Sequence, residues 1–305
     1  MAERAALIEA ILKKPSDDTL RLQFADWLDA NKQPERAEFI RVQCEAAKLP
    51  GDNAEKSKPA KRAAALLAQH EKDWRAALGV SSDNGQYVRG FLKNVRVEVA
   101  DFVPKAVPML AQEPMLITLV LFWALRGDAP VPVRWVDKLA ANPALRAVTA
   151  MSSHQGKWGA NRFARFIGSP YLRNLRSLEI IDDVIGLPGV KNLVAASENF
   201  RLELLNLKGS LQDKSLLRTE NLELKSLIET VTLLATAPRL GWLKELALPC
   251  NGLGENCIKV LAASRTLPER LKLDVSDNPY DAIAFNPKLE ERFNRSEMVV
   301  EANPQ

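Results

Sequence analysis

The stretch that most constrains this chain is Leu243–Leu253, which reads LKELALPCNGL. Apolar residues stand at Leu243, Leu246, Leu248 and Leu253, and Asn251 falls between the last two. Strand side chains alternate between faces, so steps of three and two send these leucines from a short strand into one shared core. The Asn follows where the chain must turn, and its side chain hydrogen-bonds backbone that the turn leaves unpaired. The last Leu returns to the core.

The phrase recurs. Leu175, Leu178, Ile180, Asp183 and Ile185 fit it, with Asp in the Asn place. Arg270, Leu273, Val275, Asn278 and Tyr280 fit it with a poor first residue, for which Leu271 compensates. Leu202, Leu205, Leu207 and Ser210 fit its first part. Leu145, Val148 and Ala150 fit less well, as do Leu116, Leu119 and Leu121, while Leu92, Val95 and Val97 read as an opening strand. The starts at 92, 116, 145, 175, 202, 243 and 270 are separated by 24, 29, 30, 27, 41 and 27 residues. Most steps lie near the roughly 20–29 residues of a leucine-rich repeat. The 41-residue step reads as an insertion within Leu211–Ser226. The expected fold class is therefore α/β, with an irregular leucine-rich-repeat solenoid over residues 89–305. Such a solenoid has an inner parallel sheet and outer helices. A Leu289–Phe293 helix and a Met298–Val300 strand are expected to cap it.

Ahead of the repeats the apolar period changes to that of helices. Residues 3–13 place Leu7, Ile8, Ile11 and Leu12 on one face, and Pro15 stops that helix. Asp17 or Asp18 caps a second helix, Thr19–Ala30, which carries Leu20, Phe24, Trp27 and Leu28. After an Asn31–Pro34 turn, Glu35–Lys48 forms a third with Ala37, Phe39, Ile40 and Cys44 inward. Pro50–Asn53 breaks it, and Lys56–Leu78 is a fourth, with Leu66, Leu67, His70, Trp74 and Leu78 along a stripe. This divides the chain into a helical module at 1–50, a helical connector at 51–88 that packs on the solenoid, and the solenoid itself. Beyond the connector, Phe91–Val99 alternates as one strand, Asp101–Leu110 is a helix, Met115–Phe122 a strand and Val133–Ala141 a helix.

The run DDTLRLQFADWLDANKQPERAEFIRVQCEAAKL, ending at Leu49, resembles the repeat-companion domain of planctomycete and myxobacterial proteins. The matching residues are Arg21, Ala25, Asp26, Trp27, Leu28, Pro34, Glu35, Arg36, Ala37, Glu38, Phe39, Ile40, Arg41 and Gln43. His70 to Trp74 and Arg89-Gly90-Phe91 are similar to the segments that come after the module in that family. The family's glycine near the turn is replaced here by Lys32 or Gln33. The resemblance implies downstream leucine-rich repeats and no established enzymatic activity. From the residues alone, Trp27 and Phe39 are core aromatics that clamp two helices. Asp26, Glu35, Arg36, Glu38 and Arg41 are expected to pair at three- and four-residue spacing within the third helix or across the turn. The module then covers the first edge of the stack, as a terminal cap must.

Composition narrows the function class. The chain has 305 residues, 47% hydrophobic and 26% charged, with a net charge of +4. The N-terminus carries acidic residues and lacks an uninterrupted apolar run, so no signal peptide is read there. The chain's most apolar run, Met115–Leu125, falls short of the roughly 20 residues that span a bilayer. Cys44, Cys250 and Cys257 are odd in number and form no close pair, which points to reduced, cytoplasmic thiols. The two histidines, His70 and His154, leave no zinc set. Ser152-Ser153-His154 is read as an exposed loop rather than a nucleophile and its base. Asp183 is explained by its place in the phrase without a metal, and neither a cofactor nor an enzyme is expected.

Two sets of residues are candidates for binding. The outward strand positions of a concave sheet carry Arg96, Glu98, Trp123, Arg146, Arg176, Glu179, Asn206, Lys208, Lys244, Lys272 and Asp274. They are variable in charge, so one simple ligand class is not indicated. The segment 126–176 holds Arg126, Arg134, Lys138, Arg146, Lys157, Arg162, Arg165, Arg173 and Arg176 against Asp128 and Asp137. Trp135, Trp158, Phe163, Phe166 and Tyr171 are interleaved. Basic and aromatic residues together can follow a phosphate backbone and stack bases. The leading expectation is a non-enzymatic scaffold binding a protein on the concave face. The alternative is a nucleic-acid or nucleoprotein subunit that uses the basic segment.

Overall fold

The computed structural model describes residues 2–49, 58–122, 130, 132–212, 220–279 and 282–293. The chain divides into two compact units, Met1–Leu119 with Arg146–Val148, and Val120–Leu145 with Thr149–Gln305. The architecture is α/β, and a seven-stranded parallel sheet runs in sequence order.

The first unit begins with α1 (Ala2–Lys13), α2 (Asp18–Ala30), α3 (Pro34–Ala46) and α4 (Lys58–Leu78). Asp17 caps α2 by accepting the Thr19 N–H at 2.9 Å, and Pro34 opens α3 with its φ already helical. Between them Lys32 takes φ 62°, the left-handed conformation for which glycine is the usual choice. Phe39 is fully buried against Trp74 and Tyr87, with ring centroids 5.1 and 5.4 Å away. Trp27 is only half-buried and lies beneath the Arg4 guanidinium at 5.4 Å.

The expected pairing across the turn is present at Arg41, while Glu38 and Arg36 reach other elements rather than neighbours within α3. Arg41 returns to Asp26 and Asp29 on α2 at 2.6 and 2.7 Å. Both carboxylate oxygens of Glu38 accept from one edge of Arg62 on α4, at 2.6 and 2.7 Å. Arg36 is buried, pairs with Glu113, and has its guanidinium 4.9 Å from the Trp74 ring and 5.2 Å from Tyr87. Helix periodicity puts Arg36 on the same inward side as Ile40 and Gln43, so its charge must find a distant partner.

Phe91–Val99 is not one strand. β1 (Gln86–Val88) and β2 (Phe91–Lys93) form a hairpin, Asn94 turns the chain with φ 58°, and β3 (Val95–Glu98) begins the large sheet. The hairpin therefore spans the expected boundary at residue 88. Its two-residue turn has φ 50° at Arg89 and 90° at Gly90, which suits the twist of paired strands. Helix α3 holds that turn. Arg36 donates to the Gly90 carbonyl at 2.6 Å, and Gly90 N–H donates to Gln43 Oε1 at 2.7 Å. A Cβ on Gly90 would lie 2.6 Å from Ile40 Cγ1, so only glycine lets the two backbones meet.

The helix expected at Asp101–Leu110 starts at Val99 and contains a π turn, Phe102–Ala106, ahead of Val107–Leu110. Val107 N–H reaches back to the Phe102 carbonyl, one residue further than in an α-helix. Pro104 and Pro108 cannot donate and crowd the preceding turn, and the wider turn relieves both.

Strand–helix alternation continues through β4 (Ile117–Phe122), α5 (Val133–Ala140), β5 (Val148–His154), α6 (Gly159–Ile167), β6 (Ser177–Ile181), α7 (Gly186–Ala196), β7 (Leu204–Asn206), α8 (Glu220–Thr236), β8 (Glu245–Ala247), α9 (Glu255–Ala262), β9 (Lys272–Asp274) and α10 (Ala282–Phe293). In the second unit each helix from α5 to α10 packs on the next. Strands β5 to β9 pair in parallel with one register. Met151, Leu178, Leu205, Leu246 and Leu273 form one inward rung, all 0% exposed. Burying each such side chain is worth about 1.5–3 kcal/mol.

Register and burial revise the phrase starts. The strand at 148 uses Val148, Met151 and Ser153 inward, so its phrase begins at Val148 and not at Leu145, and Ala150 faces outward. The spacing from 148 to 175 and from 175 to 202 is then 27 residues each. In β4 Ile117, Leu119 and Val120 are buried, while Leu116 is half-buried. At the last repeat Leu271 is buried and Arg270 exposed, so the chain slips by one residue to fill the first position. Met298–Val300 and Tyr280 lie outside the described residues, as does much of the expected insertion at Leu211–Ser226. No helix among the described residues is long and apolar enough to cross a membrane.

Candidate functional site

The parallel register builds one continuous face from short strands. Ala150, Ser177, Leu204, Glu245 and Lys272 form one outward rung; Ser152, Glu179, Asn206, Ala247 and Asp274 form the next. Just before them, backbone hydrogen bonds join Thr149 to Arg176, Arg176 to Glu203, and Glu203 to Lys244. The sheet therefore brings Arg176, Glu179, Asn206, Lys244, Lys272 and Asp274 onto one surface of the second unit. Lys208 follows Asn206, whose Oδ1 accepts its N–H at 3.1 Å.

The other expected members fall elsewhere. Arg146 lies in a 3₁₀ turn, Pro143–Ala147, and pairs with Glu9 in the first unit. A phrase start at Leu145 puts it on a strand, and the true start at Val148 moves it off. Arg96 and Glu98 are exposed on β3 of the first unit, where Asn84 hydrogen-bonds both backbone groups of Arg96, at 2.7 and 3.0 Å. Trp123 lies outside the described residues.

Two carboxylates on the face escape a reading of the sequence alone. Glu203 meets Lys244 at 2.6 Å and Glu245 meets Lys272 at 3.4 Å. The phrase carries the signal, since Glu203 holds the same phrase position as Arg176 and Lys244. The Lys244 hydrogen bond holds the Glu203 carboxyl below its usual range. Burial pulls the Arg176 guanidinium below its usual value, against the attraction of Glu203. Surface charge thus alternates across neighbouring strands, an arrangement that offers paired donors and acceptors rather than one field.

Each strand from β5 to β9 is followed by the same backbone reversal. Gln155, Asp182, Gly209, Cys250 and Asp277 have φ between 50° and 61°. The next residue in four repeats is a polar group turned inward: Asp183, Ser210, Asn251 or Asn278. Asn251 Oδ1 accepts Ser210 and Leu211 N–H at 2.9 Å, and its Nδ2 donates to the Leu207 and Pro249 carbonyls at 2.9 and 3.1 Å. Asn278 accepts the Asn251 and Leu253 N–H groups at 2.9 and 3.0 Å. Cys250 donates to Asp277 at 3.6 Å, and burial with that carboxylate pushes its thiol up, which opposes a reactive thiolate.

His154 stands on β5, not in a loop. Alternation puts Ser152 and His154 on the same face, and Nε2 lies 3.1 Å from Ser152 Oγ. The rung beside His154 on β6 is Ile181 rather than a carboxylate, and beside Ser152 is Glu179. The N–H after His154, that of Gln155, is spent on the Ile181 carbonyl at 2.9 Å. The pair has nucleophile–base distance, and that neighbouring N–H is not free to stabilise an oxyanion. Among the described residues no group of three or more His, Cys, Asp and Glu could hold a metal ion.

The basic segment is spread over two helices and the loops before and after them. Arg134 and Lys138 lie on α5, Arg162 and Arg165 lie on α6, and Arg165 pairs with Asp137 at 2.8 Å. Lys157 sits in the reversal after β5, while Arg173 and Arg176 precede β6. Arg126 lies outside the described residues. Trp158, Phe163 and Phe166 are fully buried, and Trp158 Nε1 donates to Ser153 at 3.0 Å. Only Trp135, 40% exposed, and half-buried Tyr171 remain to face solvent.

No family model and no curated protein matches this chain.

Proposed function

We propose that the chain is a leucine-rich solenoid, headed by a repeat-companion-like module, that serves as a non-enzymatic scaffold. A macromolecular partner, a protein in this reading, docks on the outward sheet face of β5 to β9. The observation that carries this reading is the pair of outward rungs, where Glu179, Asn206, Asp274, Glu245 and Lys272 share one rigid, solvent-facing surface. Binding to such a preformed surface loses little ordering entropy. The mixed charge and the buried aromatics of the basic segment favour a protein over a nucleic acid.

The test is photo-crosslinking in the native cell, with a photoreactive residue at Asn206, or at Arg134 on α5 as control. A specific adduct from position 206 that survives nuclease, and is lost in Glu179→Lys, is the expected result. Adducts from position 134 alone, or adducts that vanish with nuclease, would sink the reading.

A further inference from the structure

At the start of the strands the face carries a different chemistry from its centre. Arg201 and Trp242 each stand one residue before a phrase start, on neighbouring repeats. The Arg201 guanidinium lies 3.8 Å from the centre of the Trp242 ring. Trp242 is 50% exposed, the most exposed large hydrophobic residue among those described. A guanidinium stacked flat on a ring keeps its N–H edges directed outward. Among the described residues Arg201 is exposed and forms no ion pair within 4.0 Å.

Its surroundings are basic once internal pairs are set aside. Glu203 is taken by Lys244 and Glu245 by Lys272. Half-buried Arg176 feels the Arg201 charge, and exposed Arg173 and Arg270 stand just before neighbouring strand starts, with exposed Glu198 and Glu269 opposing them. Arg173 donates to the Pro170 carbonyl, at 3.2 Å.

We infer that this strand-start edge, anchored by Arg201 stacked on Trp242, docks an extended acidic segment of a partner protein. Carboxylates meet the fork of Arg201 in bidentate pairs, and one apolar side chain covers the exposed Trp242 ring. Arg and Trp are the residue types that most often dominate interface energetics. Neighbouring strands lie about 4.8 Å apart, so the edge from β5 to β9 measures about 19 Å. About six extended residues span that length. A nucleic-acid strand fits less well. One exposed ring offers one stacking platform.

The inference rests on the scaffold reading and names the partner's chemistry. Its test is fluorescence anisotropy with a labelled peptide of glutamates around one leucine, about six residues long. A lysine counterpart and an oligothymidylate of about 12 nucleotides serve as rivals. The acidic peptide alone should bind. Arg201→Glu should weaken it by about tenfold or more and Trp242→Ala by several fold. Arg134→Glu, on the outer helix, should leave it unchanged. Circular dichroism of each variant separates lost binding from lost fold. Unchanged affinity in Arg201→Glu, or tighter oligothymidylate binding that Arg201→Glu abolishes, would overturn the inference. Crosslinking from position 206 that is insensitive to Arg201→Glu would remove the acidic edge and keep the scaffold; no crosslinking at all would remove both.

Discussion

The Asp183 carboxylate accepts the backbone N–H of Trp158 at 2.9 and 3.1 Å. Asn251 and Asn278 do the same for later repeats, but each also donates its amide to carbonyls. Asp183 has no such donor when ionised. Burial raises its carboxyl above the ordinary value, while the Trp158 and Gly159 N–H groups pull the other way. A group whose native pKa exceeds its unfolded value is stabilising below the unfolded pKa, and that contribution is lost as pH rises through the native one. At neutral pH the ionised Asp183 therefore costs stability. Asp183→Asn should stabilise the protein by about 1 kcal/mol at neutral pH. The gain should shrink as pH falls through Asp183's raised value toward the ordinary carboxylate range. Urea midpoints across a pH series measure it, and a gain that does not change with pH would refute the linkage.

Lys32 holds a left-handed backbone at φ 62° on the α2–α3 turn. Its side chain is exposed. Lys32→Gly should therefore raise stability, by about 0.5–1 kcal/mol after glycine's entropic cost. A lower urea midpoint in the variant would show that the side chain contributes more than the backbone loses.

Gly90→Ala should be severe. The new Cβ meets Ile40 Cγ1 at 2.6 Å and Ile40 Cα at 2.9 Å, at a φ of 90° that L residues rarely adopt. A loss of about 3 kcal/mol is expected. Hydrogen exchange should localise it to α3 and the hairpin. Protection unchanged in those segments would contradict the clamp.

Asn251→Ala leaves two backbone N–H groups and two carbonyls without their partner in a site 1% exposed. The expected cost is about 3 kcal/mol. Asn251→Asp keeps the two acceptor contacts and should cost less in acid than at neutral pH. Equal losses for both variants at all pH values would mean that shape, not hydrogen bonding, sets the cost.

The repeating strand and its outward positions are legible in the sequence because leucine spacing is dictated by burial, as at Leu178, Leu205, Leu246 and Leu273. The weak repeat is misplaced for a physical reason: Ser153 fills an inward position by accepting a hydrogen bond from Trp158. A polar residue satisfied by a partner five residues on leaves no apolar mark. The hairpin is hidden because its turn, Arg89-Gly90, shows only one glycine. Arg36 misleads because a charged residue inside a helix pattern reads as surface, and its partner Glu113 is remote in sequence. The Arg201–Trp242 stack is invisible for a related reason. It joins neighbouring repeats across a 41-residue step that no local pattern spans.

Arg36 and Glu113 stand 77 residues apart. A ribosome adding about 5–20 residues per second makes Glu113 about 4–15 s after Arg36. For that interval the nascent helices carry a cation destined for the interior with no counter-charge to receive it. The helices around Arg36 are thus made well before they can be completed, and a chaperone that shelters the emerging third helix would have a defined span of time in which to act.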